Sequence, residues 1–329
     1  MARDTIILTR QEIAEQIDVA DTIDAIEEAM GKFEAGEDYL PPKAIFEIPV
    51  GEPAWAACIT GYTKTTNLLS MKVGQERSRN PDRKLPTTNA WIASFEPLSG
   101  ELLMFCDGLL PTMYRTAAAA AVGARQLSRE DSRVLAVIGA GQLGRQCVRA
   151  TSSVRPFEKI LLYDQAASAA QQVAEELSEH LAPSIEVTSA ETACRQADVI
   201  VTATNSREPI VAADWVRPGT HLSCMGSDLG EKIECEMTLL PRCKIFADQV
   251  EHAILRGEVS RAVDNGLLGK DCYAGSLGQV INGSLPGRQN NEEITMFDGV
   301  GIGIQDTTVV RTIYDRAVEL GLGVRISFS

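Results

Sequence analysis

The sequence predicts an α/β protein, with a doubly wound parallel-sheet domain in its second half and an α+β domain before it. Three observations predict this. After Ser128 apolar strands alternate with amphipathic helices, the pattern of parallel βαβ units. Between Pro41 and Cys106 short strand-like segments are bounded by turn residues, which reads as a mostly antiparallel sheet. The two regions are joined by LLPTMYRTAAAAAVGARQL (109–127), an Ala-rich helix with a basic end at Arg125.

Residues 9–35 read as one helix. Thr9 is a good N-cap with Glu12 three residues later, and apolar positions recur at Ile13, Ile17, Val19, Ile23, Ile26 and Met30. AIFEI, AWAACITGY, LLSMKV, AWIASF and ELLMFC are the strands of the antiparallel region, and PLSG (97–100) is a tight hairpin connection. In the second region RVLAVIG, KILLYD, IEVTS, DVIVTAT and THLSCMG are strands, and QLGRQCVRATSSV, ASAAQQVAEELSEHL and TACRQA are helices. KIFAD (244–248) is a further strand. Helices follow near 249–256, 259–265 and 305–321, the last ended by Gly321 before a short strand, GVRISF.

A chain of 329 residues has room for two domains of ordinary size, and 44% hydrophobic against 23% charged residues is a globular composition. The formal charge of −14, with no long run of either sign, argues against a nucleic-acid partner, which needs a concentrated basic face. None of the eight cysteines forms a CxxC pair or sits at metal-ligand spacing from a histidine, so no metal site is expected and a reducing compartment suits them. The first residues carry no signal-peptide pattern and the chain no 18-residue apolar stretch. A cytoplasmic protein without a membrane partner is the expectation.

The segment VLAVIGAGQLGRQ sets Gly139, Gly141 and Gly144 in G-x-G-x-x-G spacing, after an apolar strand and before an amphipathic helix. Asp164 ends the next strand, 20 residues after the third glycine (164 − 144). That context predicts a Rossmann domain holding a dinucleotide on the loop Gly139–Ala140–Gly141–Gln142–Leu143–Gly144. Asp164 would accept hydrogen bonds from the ribose 2′-OH and repel a 2′-phosphate, and no Arg or Lys follows it in the loop, which favours NAD over NADP. The alternative is that Asp164 only caps the next helix. Thr202, Ala203 and Thr204, at the end of DVIVTAT, and Met225 and Gly226, after THLSC, are expected to line the cofactor cleft.

The three histidines, His180, His221 and His252, are not well placed for hydride-transfer chemistry. Lys72 interrupts the apolar run LLSMKVG. A lysine buried there has its pKa lowered by desolvation and suits acid–base work near neutrality. Strand arithmetic alone nevertheless reads Lys72 as solvated, and the same holds for Lys43, Arg115 and Asp228.

The set PPK (41–43), MK (71–72), LPT (85–87), DGLLPTMYRTAA (107–118), GAGQLG, MGSDLGEKIE (225–234), LGQVINGSLPGR (277–288) and FDGVGIGIQD (297–306) resembles the ornithine cyclodeaminase/mu-crystallin family over nearly the whole chain. The resemblance implies a homodimer. Residues 1–127 with the tail 307–329 would form the dimerisation and substrate domain, and 128–306 the Rossmann domain carrying NAD(P). It also implies hydride transfer between nicotinamide and the α-carbon of a small amino acid or imino acid. Carried over, Lys72 would exchange protons with the amine or attacking water, Arg115 would clamp the substrate carboxylate beside Thr87, and Asp228 would assist proton transfer. Lys43 stands where the family commonly has Arg, which puts the second half of the clamp in doubt. The loop GQERSRNPDRK (74–84) offers Arg77, Arg79 or Arg83 for a second substrate carboxylate, as a dicarboxylic imine would need, or is simply solvated. MGSD and FDGVGIGIQD look more like the iminosuccinate-reductase branch. An NAD(H)-dependent imine reductase or amino-acid dehydrogenase is the first reading. Ornithine cyclodeaminase with catalytic NAD and a crystallin-like binding protein remain as alternatives.

Overall fold

The structure, a computed structural model, describes residues 4–36, 38–77 and 79–328. The chain opens with β1 (Thr5–Leu8), α1 (Arg10–Ala14) and α2 (Val19–Glu34), then β2 (Ala44–Glu47), β3 (Ala54–Thr63), β4 (Leu68–Arg77), β5 (Thr88–Phe95), β6 (Leu102–Asp107) and α3 (Leu109–Leu127). It continues through β7 (Val134–Ile138), α4 (Gln142–Thr151), β8 (Lys159–Tyr163), α5 (Ala167–Ser178), β9 (Ser184–Val187), α6 (Ala190–Gln196), β10 (Val199–Thr202) and β11 (His221–Cys224). Last come β12 (Cys243–Ala247), α7 (Val250–Arg256), α8 (Ser260–Asp264), β13 (Tyr273–Ser276), α9 (Leu277–Ile281), β14 (Ile294–Asp298), α10 (Gly303–Leu320) and β15 (Val324–Ile326).

Contacts divide the chain into two units, one running up to Arg115 and resuming at Ile302, the other Thr116–Gly301. Both cuts precede the sequence boundaries at 127/128 and 306/307. The helix α3 runs unbroken across the first cut, so no change of period marks it.

In the first unit seven strands lie in the order β15-β1-β6-β5-β4-β3-β2, all antiparallel except the parallel β1–β6 pair. One face is covered by α10, which packs on β3 and β4 and also against α2. The alternation that buries Leu68, Ser70 and Lys72 on this face turns Met71 and Val73 to the other. There Phe46, Met71, Val73, Trp91 and Phe105 stand exposed.

In the second unit eight parallel strands lie in the order β13-β12-β14-β11-β10-β7-β8-β9. The strand β7 lies between β8 and β10, so the winding reverses there. The crevice beyond the C-terminal ends of β7 and β10 is the place where open α/β sheets bind ligands. The expected strands and helices of this region are present, in order.

Three differences from the sequence reading stand out. The single helix over 9–35 is two, because Asp18 caps a new helix by accepting from the Asp21 N–H at 3.0 Å. The four-residue β1 is too short to show a period and gains its place from pairing with β6 and β15. The segments β13, α9 and β14 carry no legible pattern, since β14 is buried at every residue and does not alternate.

Candidate active site

In the second unit Gly139 follows β7 with φ +107°, and a Cβ there would lie 2.6 Å from the Ala203 carbonyl oxygen. A Cβ on Gly144 would lie 1.9 Å from the carbonyl oxygen of Gly139, so helix and strand meet backbone to backbone. Gly141, by contrast, has nothing within 4 Å of where its Cβ would stand, and it caps α4 without a side chain. The loop is therefore packed behind and open in front. Its open side presents the N-terminus of α4, a ten-residue helix, whose first N–H groups and positive dipole end suit a phosphate. The residues present fit a bound pyrophosphate.

Asp164 lies just past β8 and accepts from the Ala140 N–H at 2.7 Å and the Ala166 N–H at 2.8 Å, one on each oxygen. It thus ties the glycine loop to the start of α5. A carboxylate has about four lone-pair sites, so two remain for hydroxyl donors. Gln142 and Leu143 form the first turn of α4.

The loops after β10 and β11 are joined by Glu234, a residue the sequence reading did not single out. Its buried carboxylate accepts from the Thr202 hydroxyl at 2.5 Å, the Thr204 N–H at 2.7 Å and hydroxyl at 2.8 Å, and the Gly226 N–H at 2.9 Å. The Thr202 and Thr204 hydroxyls are therefore committed to Glu234, while Ala203 backs the glycine loop and Met225 is buried. Burial raises the pKa of Glu234, and burial together with the Glu234 charge pushes Glu258, which accepts from Ser227, Glu234 and Cys235, up to about 8. Asp298, raised by burial to about 7, accepts from the Glu258 N–H and the Tyr273 hydroxyl. This buried chain of acids holds the strand-end loops in register. Asp228 is exposed and ion-paired to Lys232 at 2.8 Å. His221 is buried between Thr295 and Ser223, and burial lowers its pKa, so it is a packed core histidine.

In the first unit two of the expected residues, Lys72 and Arg115, meet on one carboxylate. Lys72, only 3% exposed, places Nζ 2.8 Å from both carboxylate oxygens of Asp306 and 3.2 Å from the Thr112 hydroxyl. Arg115, in the second turn of α3, donates Nε to Asp306 at 3.2 Å and Nη1 to the Gln305 side-chain Oε1 at 3.2 Å. Solvation of Lys72 and Arg115, the outcome strand arithmetic favoured, does not occur. Burial lowers the Lys72 pKa to about 8; the Asp306 charge opposes the shift, and the charges of Arg115 and Lys43 add to it. Burial alone would raise the Asp306 pKa, but the charges of Lys72 and Arg115 outweigh it and hold the group below its ordinary value. Two cations and one anion leave this buried trio with one positive charge in excess, which suits an anionic ligand.

Lys43 and Thr87 are half-buried, and the Thr87 carbonyl accepts from the Arg77 N–H at 2.8 Å. Arg77 donates to the Trp55 and Glu76 carbonyls, Arg79 pairs with Asp82 at 3.3 Å, and Arg83 makes a two-pronged pair with Glu52 at 2.7 and 2.8 Å. All three arginines thus have partners within this unit. Among the described residues no group of three or more His, Cys, Asp or Glu could hold a metal ion, and no helix is long and apolar enough to cross a membrane.

The family model for the ornithine cyclodeaminase/mu-crystallin family matches residues 3–321. The chain belongs to that family. It is 32% identical over 266 residues to the iminosuccinate reductase of Paracoccus denitrificans, covering 81% of this chain and 82% of that one. An archaeal alanine dehydrogenase, solved as a dimer with bound NAD, superposes with a TM-score of 0.94 at 32% identity, over 99% of this chain and all of that chain. The Thermococcus litoralis Delta(1)-pyrroline-2-carboxylate reductase, solved with NADH and L-proline, superposes with a TM-score of 0.95 at 29% identity, over 98% and 100%. Within the family motifs, Glu234 ends MGSDLGEKIE and Asp306 ends FDGVGIGIQD. The sequence reading singled out neither acid; the place of each at the end of a family motif is the signal that could have found it.

Proposed function

We propose that the protein is an NAD(H)-dependent imine reductase or amino-acid dehydrogenase acting on a small α-imino or α-amino acid. The observation that carries the reading is the meeting of a buried lysine and a buried arginine on one carboxylate, in a chain whose second unit carries an open dinucleotide loop. Relatives of this chain reduce iminosuccinate and pyrroline-2-carboxylate or dehydrogenate alanine, as their names state. Bound NAD supplies a hydride donor or acceptor at its nicotinamide ring. Arg115 takes the substrate carboxylate, for which a planar two-donor fork is suited, with Lys43 and Thr87 beside it. Lys72 gives a proton to the nitrogen as the imine is reduced and takes it back in the reverse direction. A pKa of about 8 lets it do both near neutrality. Asp228 remains the second proton-handling group the family resemblance assigns, ion-paired to Lys232.

The test is a panel of 2-oxo acids with ammonia, and of preformed imines, in which NADH consumption is followed. Stoichiometric NADH oxidation supports the reading. Ammonia release from a diamino acid without net NADH change would replace it with cyclodeaminase chemistry, and cofactor binding without turnover on any of them would leave a crystallin-like binder.

NADH should be preferred over NADPH, because a 2′-phosphate would stand against the Asp164 carboxylate. Replacing Asp164 with Asn should narrow the preference while weakening both, since that carboxylate also holds the Ala140 and Ala166 N–H groups. A wild-type preference for NADPH of about tenfold, 1.4 kcal/mol, would reverse the assignment.

The exposed apolar face of the first sheet has a second copy of the chain as its occupant. Paired residues run in a row from Val324 through Ile7, Phe105 and Ala93 to Met71. The Phe105→Arg, Met71→Arg double variant should shift the protein from dimer to monomer in light scattering; a dimer that persists would place the interface elsewhere. The eight cysteines, among them Cys224 and Cys235 with sulfurs 3.8 Å apart as thiols, suit the reducing cytoplasm.

A further inference from the structure

We propose that Asp306 is a positioning residue of the reaction, its one carboxylate fixing where both the Lys72 ammonium and the Arg115 guanidinium point. The proposal rests on the roles given above to Lys72 and Arg115. It starts from how α10 is seated. A Cβ on Gly303 would lie 2.1 Å from the Thr60 carbonyl oxygen, and one on Gly61 would lie 2.5 Å from the Gly303 carbonyl carbon, so the first turn of α10 rests directly on the backbone of β3. Thr307 fastens it, donating to the Gly61 carbonyl at 3.0 Å and meeting the Ser70 hydroxyl at 2.6 Å, on the strand that carries Lys72. Asp306 is thereby held in the first turn of the helix, where the dipole favours an anion, with its side chain 1% exposed. A rigid seat of this kind is more than an ion pair needs for stability, since a buried pair contributes little over apolar packing. It does give two long cationic side chains one shared reference point. Gln305, next in line, holds the other edge of the guanidinium and also caps its own helix through the Ile302 N–H.

The charged groups facing Lys72 are Asp306 from α10, Arg115 from α3 and Lys43 from the segment before β2; its neighbours on the adjacent strands are Ile59 and Ile92. Of these only Asp306 favours the protonated form. Removing its charge therefore lowers the Lys72 pKa from its value of about 8. In the direction of imine reduction Lys72 must carry its proton, so activity falls as pH rises through that pKa.

The experiment compares pH profiles of kcat/KM for imine reduction in wild type, Asp306→Asn and Asp306→Glu. Asp306→Asn is nearly isosteric and should move the basic limb to lower pH by about one unit or more, a tenfold change in the proton equilibrium. Asp306→Glu keeps the charge and should keep the limb near its wild-type position at a reduced rate; it also carries the test if the Asn variant does not fold. NADH binding, measured by fluorescence, should match wild type in both, since the glycine loop belongs to the other unit. A limb that stays in place in Asp306→Asn, with activity lost by the same factor at every pH, would reduce Asp306 to a structural role and overturn the proposal. So would a limb displaced as far by Glu as by Asn. A wild type that consumes no NADH with any imine overturns the functional reading itself, and is told apart by that result alone.

Discussion

Lys72→Ala should lose about 10²–10⁴-fold in turnover, the usual worth of a general acid–base group. The argument is one of place and charge. Lys72 is a lysine on the covered face of a sheet, and burial brings its pKa down to about 8, where proton loss and gain are both accessible. Its anionic partner among the described residues, Asp306, is shared with Arg115, so truncating Lys72 leaves that carboxylate paired and the fold intact. NADH affinity should change little. Lys72→Arg should not rescue, because a guanidinium keeps its proton at any workable pH and cannot act as a base. If Lys72→Ala retains more than about a tenth of wild-type turnover, which is less than the weakest general acid–base contribution, the proton passes through another group. Asp228 would then be examined next.

Much of this was legible from local pattern. The helix over 109–127, the βαβ alternation and the glycine loop depend on periods and spacings within a few tens of residues, and they appear where expected. Elements held by tertiary pairing alone, such as β1 and β14, left no such trace. The same contrast governs the site. Lys72 was visible as a cation interrupting an apolar strand, and its family resemblance named Arg115. Asp306 is separated from Lys72 by 234 residues, and only the seating of α10 on β3 brings them together. Glu234 was hidden for a related reason: its four donors come from two separate loops, and nothing in the spacing of Thr202, Thr204 and Gly226 requires a common acceptor. Asp164 was half legible, since its place at the end of β8 was plain but its hold on Ala140 was not.

The glycine loop yields a paired result with opposite signatures. Gly144→Ala should destabilise the second unit by about 3 kcal/mol or more, the upper end of overpacking costs, and abolish NADH binding with it. Its new Cβ would stand 1.9 Å from the Gly139 carbonyl oxygen and 2.8 Å from the carbonyl carbon. Both are backbone atoms, and no rotamer change can relieve them. Gly139 cannot retreat, because its own N–H is bonded to the Tyr163 carbonyl at 2.7 Å and its Cα faces the Ala203 carbonyl. Gly141→Ala meets none of this. Its φ of −70° and ψ of −172° are open to alanine, and beyond its two chain neighbours nothing lies within 4 Å of the added methyl. Thermal stability should therefore stay within about 1 kcal/mol of wild type, the scale of an N-cap change. NADH should nevertheless bind about tenfold more weakly or worse, 1.4 kcal/mol, because the methyl stands where the pyrophosphate must approach the helix end. Thermal melts and NADH fluorescence titrations on the two variants separate packing from recognition. Wild-type affinity in Gly141→Ala would move the pyrophosphate off the open side of this loop, and a wild-type melt for Gly144→Ala would mean that α4 and β7 do not meet as closely as their backbones do here.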